Sequence, residues 1–475
     1  MPESFDLTVR GGTLVSGQGL RPATVGVRDG RIAALLPPDE GAIAAQEIDA
    51  TGLHILPGII DPHVHTRHPG VPEREDFASG TRAAAAGGIT TLLEMPISKV
   101  PSSSRNGVRR RLAAMQPAAY IDFGLYGGAG EQNVEAIAEQ ADAGVVAFKT
   151  FLQPPPPARL DEFSGLWCTN RDALPGVMRE VAATGLRHAF HCEDATMYAG
   201  LQRQLEQAGR TDGLAHAESR PPLVEETSVK TMLALAAETN AALHIVHLSS
   251  PRSAAMVVDA RARGLNVTAE TCPPYLFLTE DALALYAGFA KCNPPLRKAA
   301  DVAALWRFVQ NGTIDVVGTD HSPFTAEEKS RGFENIFLAP SGLCGLEILL
   351  PLMLTAASDH RLTLPQVARL LSGCAAEVFG LAGKGRLAPG ADADLTLVDL
   401  GAEWTFDHRS ALTKSRANMQ AFDGMRLRGR VVSTFVRGAR VFHEGEITGI
   451  AGHGRFVSRA RDLRICAEDL RILRR

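Results

Sequence analysis

Two histidines stand two residues apart, His63 and His65, at the end of the apolar run in GIIDPHVHTR (58–67). Imidazoles in such a pair are ligands for a divalent metal ion. In an extended chain residues i and i+2 point to the same face, so the two rings project together. By itself the pair reads equally well as a hydrogen-bonded polar edge. Four further groups change that: Lys149 in GVVAFKTFL, His191 in LRHAFHCE, His247 in LHIVHLSS and Asp320 in IDVVGTDH, each within or at the end of a β-like run. A lone His191 or His247 would read as a core histidine, and a lone Asp320 as a partner of His321. An ammonium has no lone pair, so Lys149 is the odd member. Inside an apolar run desolvation favours its neutral, nucleophilic amine. The other reading is a buried ion pair with a carboxylate such as Asp320.

The elements that must position these groups alternate regularly. Apolar β-like runs fall at 53–61, 89–96, 121–128, 145–152, 186–193, 243–250, 266–273 and 314–321, and alanine-rich, charged stretches with helical character fill the gaps. Eight alternations predict an α/β fold, a (β/α)8 TIM barrel, in which the C-terminal strand ends converge on one face. A doubly wound sheet is the alternative, but no glycine-rich dinucleotide fingerprint follows a first strand. The first ~55 residues and the stretches 385–400 and 429–447 are β-rich with glycine turns. They predict a small β-sandwich built from both chain ends. The expected organisation is 1–56 and 385–450 for the sandwich, 57–384 for the barrel, and a helical tail over 451–475. The prolines at 154–157 read as a stiff barrel-top insertion.

Composition narrows the function classes. The 475 residues are 45% hydrophobic and 21% charged, typical of a globular protein. A net charge of −4 offers no electrostatic case for nucleic acid or an anionic membrane. No run approaches the roughly 18 apolar residues of a membrane span, and the start MPESFDLTVRGG shows no secretory leader. Seven scattered cysteines without CxxC pairs read as reduced thiols in a cytoplasmic protein.

The motifs DPHVHTR (61–67), EDFASGTRAAAAGGITTLLEMP (75–96), GVVAFKTFL (144–152), HCED (191–194), HLSSP (247–251), ETCPPY (270–275), KCNPPLR (291–297) and GTDHSP (318–323) together resemble the cyclic amidohydrolases: hydantoinases, allantoinases and dihydroorotases. The resemblance runs over nearly the whole chain. It implies that Lys149 is carbamylated by CO2 and bridges two divalent metal ions, usually zinc. His63, His65 and Asp320 would hold one ion, and His191 and His247 the other. A hydroxide between ions about 3.5–4 Å apart would be the nucleophile, with Asp320 as general base and then acid. Members are commonly homotetramers or dimers acting on small cyclic ureides or amides.

The ring is read from departures. Arg67 completes the HxHxR with which dihydroorotases bind a substrate carboxylate, and arginine suits that task through its bidentate fork. A rim salt bridge to Glu73 or Glu75 is the alternative. The asparagine that those enzymes place after the second strand is Ile97 here, and ETCPPY has Pro274 where a histidine often stands. FLQPPPP lacks the tyrosine of dihydropyrimidinase-type D-hydantoinases. Ser341, in APSGLCGLE (339–347), stands where relatives offer an asparagine to the ring, and Asn293 of KCNPPLR is expected to contact the substrate as well. The expected reaction is hydrolysis of a five-membered hydantoin-type ring, with dihydroorotate next and a non-catalytic scaffold as the reading from another class.

Overall fold

Pro57 and Gly58 divide the stretch 53–61, which reads in the sequence as one run, into two strands. In the computed structural model, which describes residues 4–38, 40 and 42–459, His54–Pro57 joins a small sheet and Ile59–Val64 opens the barrel. The reason for the break is steric. A Cβ at Gly58 would lie 2.2 Å from Thr90 Oγ1, while the Gly58 amide donates to the Asp394 carbonyl at 2.8 Å. Only glycine lets the backbones approach that closely.

The eight expected barrel strands are present, in chain order: Ile59–Val64, Ile89–Glu94, Asp122–Gly128, Ala147–Phe151, Arg187–His191, Leu243–Ile245, Val267–Thr271 and Val316–Val317. Each pairs in parallel with the next. A parallel bridge from Val64 to His321 joins the first strand to the segment after the eighth. Nearly every strand residue is buried, as expected where helices cover the outside of a sheet. The covering helices include Phe77–Ala86, Pro222–Thr239 and Pro251–Ala262. The last starts where Ser250 accepts from the Arg252 amide and Pro251 occupies the first turn, which ends the sixth-strand connection sharply.

Both chain ends contribute to one seven-stranded sheet. Leu395–Thr405 pairs antiparallel with His54–Pro57 on one side and with Arg426–Val436 on the other. A four-stranded sheet formed within residues 4–49 packs on it. Val9, Val25, Ile32 and Ile55 share a core with Leu395, Leu397 and Phe435, so neither end could bury its apolar face alone. Residues 451–459 are not helical. They run beside the third barrel strand, with Phe456 bridged to Phe123, and the remainder of the expected tail helix lies outside the described residues. No described helix is long and apolar enough to cross a membrane.

At the N-terminal end of the barrel a buried ion cluster fastens barrel to sheet. Lys384 Nζ lies 2.5 Å from Asp122, 2.7 Å from Asp394 and 3.0 Å from Asp392, and Arg437 also engages Asp122.

Candidate metal centre

The opposite barrel end gathers the six groups singled out by spacing. His63 Nε2 lies 3.2 Å from His65 Nε2 and 3.2 Å from Asp320 Oδ1, and His65 Nε2 lies 3.3 Å from the same oxygen. His191 Nδ1 lies 2.9 Å from His247 Nε2. The two sets adjoin: the His63 and His247 ring centroids are 5.4 Å apart. Lys149, on the fourth strand, is fully buried, and its Nζ has no hydrogen-bond partner. The alternative in which Lys149 forms an ion pair with Asp320 is not what forms. Nor does Asp320 pair with His321, whose ring accepts from the Gly345 amide and faces Glu75.

Neighbours decide which way the ring nitrogens face. Glu270 Oε1 sits 2.6 Å from His63 Nδ1, so that nitrogen carries the proton and Nε2 presents its lone pair to His65 and Asp320. Glu193 lies 2.9 Å from His191 Nε2 and is itself engaged by Arg220 at 2.7 Å, leaving His191 Nδ1 as the lone pair toward His247. Asp61 accepts from the His63 amide at 3.2 Å and from the Thr319 amide at 3.0 Å, tying the first strand to the Asp320 turn. Sequence reasoning assigned none of these carboxylates. Asp61 had a legible signal, since it precedes His63 by two residues on the same strand face. Glu193 had the same signal, two residues after His191 in the run 186–193, whereas Glu270 had only its place inside the motif ETCPPY.

Burial sets the charge states. It pulls His65 down to about 3 against the opposing pull of Asp320, and it drives His247 well below the ordinary imidazole value with help from His191 and Lys149. Both rings are therefore neutral, with lone pairs available. Burial also brings the Lys149 amine down to about 8. It works against charge on Asp320, but His63 and His65 hold that carboxyl below the usual range. Asp320 is the most open member, its side chain 18% exposed against 1% for His63.

The Nε2 atoms of His63 and His65 and an Asp320 oxygen converge within 3.3 Å of one another, a set that a cation would satisfy. The oxygen and nitrogen donors of His63, His65 and Asp320 suit a divalent ion of the zinc type. A buried amine with no partner beside them fits a group that becomes a ligand only after modification.

The expected substrate residues fall in two places. Arg67, with φ of 57°, donates to the Pro323 carbonyl at 2.7 Å and to Ser322 Oγ at 2.6 Å, and its guanidinium lies 4.5 Å from the centre of the Phe324 ring. It forms no salt bridge to Glu73 or Glu75, and its Nε has no partner. Asn293 and Ser341 meet each other: Ser341 Oγ donates to Asn293 Oδ1 at 3.1 Å. Two buried lysines hold that pair in place. Lys329 Nζ donates to the carbonyls of Lys291, Pro340 and Gly342, and Lys291 Nζ to those of Ile336 and Ala339.

Barrel and side-chain set together define a parallel α/β barrel whose mouth carries a His63, His65 and Asp320 cluster that could hold a metal ion. The chain belongs to the amidohydrolase family, which its residues 54–441 match, and that family is metal-dependent. It is 40% identical over 461 residues to an allantoinase of Rubrobacter xylanophilus, covering 97% of this chain and 99% of that protein. It is 33% identical over 458 residues to an L-hydantoinase of Paenarthrobacter aurescens, covering 96% and 98%. Among solved structures, the L-hydantoinase (dihydropyrimidinase) from Arthrobacter aurescens matches with a TM-score of 0.91 at 33% identity, over 96% of this chain and all of that one. A D-hydantoinase matches with a TM-score of 0.88 at 28% identity, over 96% and 99%.

Proposed function

We propose that this chain hydrolyses the ring amide of a five-membered hydantoin-type compound, allantoin or a 5-substituted hydantoin, with Asp320 as the proton carrier. The observation that carries the reaction class is full-length likeness at 33–40% identity to allantoinases and an L-hydantoinase. The convergent lone pairs at the barrel mouth support the site. In this reading His63, His65 and Asp320 hold one ion, His191 and His247 the other, and Lys149 lies between them as a carbamate. Two bound divalent ions, taken as zinc, supply Lewis acidity toward a ring carbonyl and toward water.

The chain's own residues do the rest. Asp320, the most open of the set, takes a proton from the attacking water and returns it to the leaving ring nitrogen. Water oxygen adds to the carbonyl carbon, the C–N bond breaks, and the product carries a carboxylate and a ureido or carbamoyl nitrogen. Glu270 and Glu193 keep the imidazole lone pairs facing inward throughout. Asn293 and Ser341 offer an amide and a hydroxyl to ring polar atoms, and Arg67 offers its free Nε. We assign the enzyme to the cytoplasm as a homo-oligomer. The described cysteines are all free, which suits a reducing compartment.

Arg67 favours dihydroorotate as the second reading, because a guanidinium near the mouth suits a substrate carboxylate. Two of its nitrogens are already engaged by Ser322 and Pro323, which places that reading second. A panel of allantoin, both enantiomers of several 5-substituted hydantoins, dihydroorotate and dihydrouracil decides between them. A five-membered ring is expected to give the highest kcat/KM, and dihydroorotate turnover far above every hydantoin overturns the proposal. Retention of less than one metal per chain after supplementation with zinc and bicarbonate would favour the non-catalytic scaffold instead.

A further inference from the structure

One buried carboxylate touches both halves of the candidate metal centre. Glu270 lies on the seventh barrel strand with no exposed surface. Its Oε1 is 2.6 Å from His63 Nδ1, and the same oxygen accepts from the His247 backbone amide at 3.1 Å. His63 belongs to the trio with His65 and Asp320, whereas His247 belongs to the pair with His191. The Glu270 main chain adds a second hold, its carbonyl accepting from the Leu248 amide at 2.7 Å.

The hold on His247 matters because that residue has a φ of 37°, in the left-handed region that side-chain-bearing residues rarely enter. Such a conformation persists where surrounding bonds enforce it. Here the two amide bonds at His247 N and Leu248 N both go to Glu270, while Thr271 Oγ1 donates to the Leu248 carbonyl at 2.8 Å and Glu225 accepts from the Ser249 amide at 3.1 Å. The hold on His63 sets its tautomer, and an ion-facing nitrogen is oriented by what its opposite nitrogen bonds. Space for the carboxylate is kept by Gly318, where a Cβ would lie 3.3 Å from Glu270 Cδ and Oε2 and 3.2 Å from His63 Cβ.

We propose that Glu270 is a positioning residue that couples the two half-sites, so that neither ion is bound independently of the other. The inference rests on reading the barrel mouth as a two-ion centre. It differs from a local role for each ligand in one respect: weakening Glu270 loosens both ions together, although it ligates neither.

The test uses the full chain stripped with chelator and titrated with cobalt(II), following d–d absorption and metal content. Glu270→Gln keeps the size of the side chain but removes the charge that strengthens both bonds. Both cobalt equivalents are expected to weaken in parallel by roughly 10–100-fold, with an altered absorption spectrum and an unchanged melting temperature of the metal-free protein. Gly318→Ala crowds the carboxylate from outside and is expected to show the same parallel weakening if Glu270→Gln does not fold. Wild type binding two equivalents while both variants bind them as tightly, or while only one equivalent weakens, overturns the coupling alone. Wild type binding less than one equivalent overturns the two-ion reading and the coupling with it.

Discussion

Two buried clusters at opposite ends of the barrel look alike by composition and differ in what they lack. Asp122, Asp392 and Asp394 at one end, and His63, His65 and Asp320 at the other, each bring three ligand atoms within 4.8 Å of one another. At the lower cluster the chain supplies its own cation, Lys384, within 3.0 Å of all three carboxylates. At the upper one the nearby lysine, Lys149, has no hydrogen-bond partner, and the His63 and His65 rings face one another at 3.2 Å with no cation of the chain between them. A closed set of charges is a fastening; an open set of lone pairs is a site. A third grouping, Asp407, His408 and Asp423, closes on itself through a His408–Asp423 bond of 2.5 Å, and it lies partly in solvent.

The comparison breaks most sharply at the two lysines. Lys149→Ala is expected to lower kcat by about 10^3-fold or more, since in the proposed two-ion reading several kcal/mol of transition-state stabilisation depend on the ions that a carbamate there would hold. Its melting temperature should stay close to that of the wild type, and short-chain carboxylic acids should restore part of the turnover. Steady-state kinetics with and without added acetate or propionate checks this, and undiminished turnover would remove Lys149 from the mechanism.

Lys384→Met reverses the pattern. Removing the cation from three buried carboxylates should cost about 3–5 kcal/mol of stability in urea unfolding, while the folded fraction keeps its metal content and kcat. A loss of activity per folded molecule would show that the lower cluster is not merely a fastening. Added calcium or magnesium that recovered stability in this variant alone would confirm that Lys384 stands where an ion otherwise could.

The smallest expected effect is in the pH dependence of that difference. Burial disfavours charge on Asp122, but Lys384 and Arg437 hold its carboxyl below its ordinary value of 3.8. A depressed carboxyl contributes stability above its unfolded value and loses it as pH falls through the folded one. Without Lys384 burial raises the Asp122 and Asp394 carboxyls in the variant, where acid relieves their unpaired charge, so the stability gap between wild type and Lys384→Met should narrow steadily as pH falls from neutral. A gap that widened in acid would contradict the assignment of charge at Asp122.

Much of the site was legible because strand patterning is local. Each of the six proposed ligands falls in or just beyond an apolar run, and the eight runs appear as the eight barrel strands. The stretch 53–61 misled because Pro57 and Gly58 divide it at a crowding that Thr90 creates from another strand. Arg67 was legible as a functional arginine by motif, but not the bonds that turn it onto Ser322 and Pro323, more than 250 positions away. Glu270 and the Lys291–Lys329 fastening carry no periodic signal, since their partners come from different strands and loops.

By itself the sequence determined the residue types at each strand end and the face on which each strand presents them, because side-chain direction follows from spacing along one chain. Only the tertiary structure decided which groups meet, which ring nitrogen faces inward, and which lysine is left without a partner. Those are distances between segments far apart in sequence. They depend on packing and on buried hydrogen bonds, which no local pattern records.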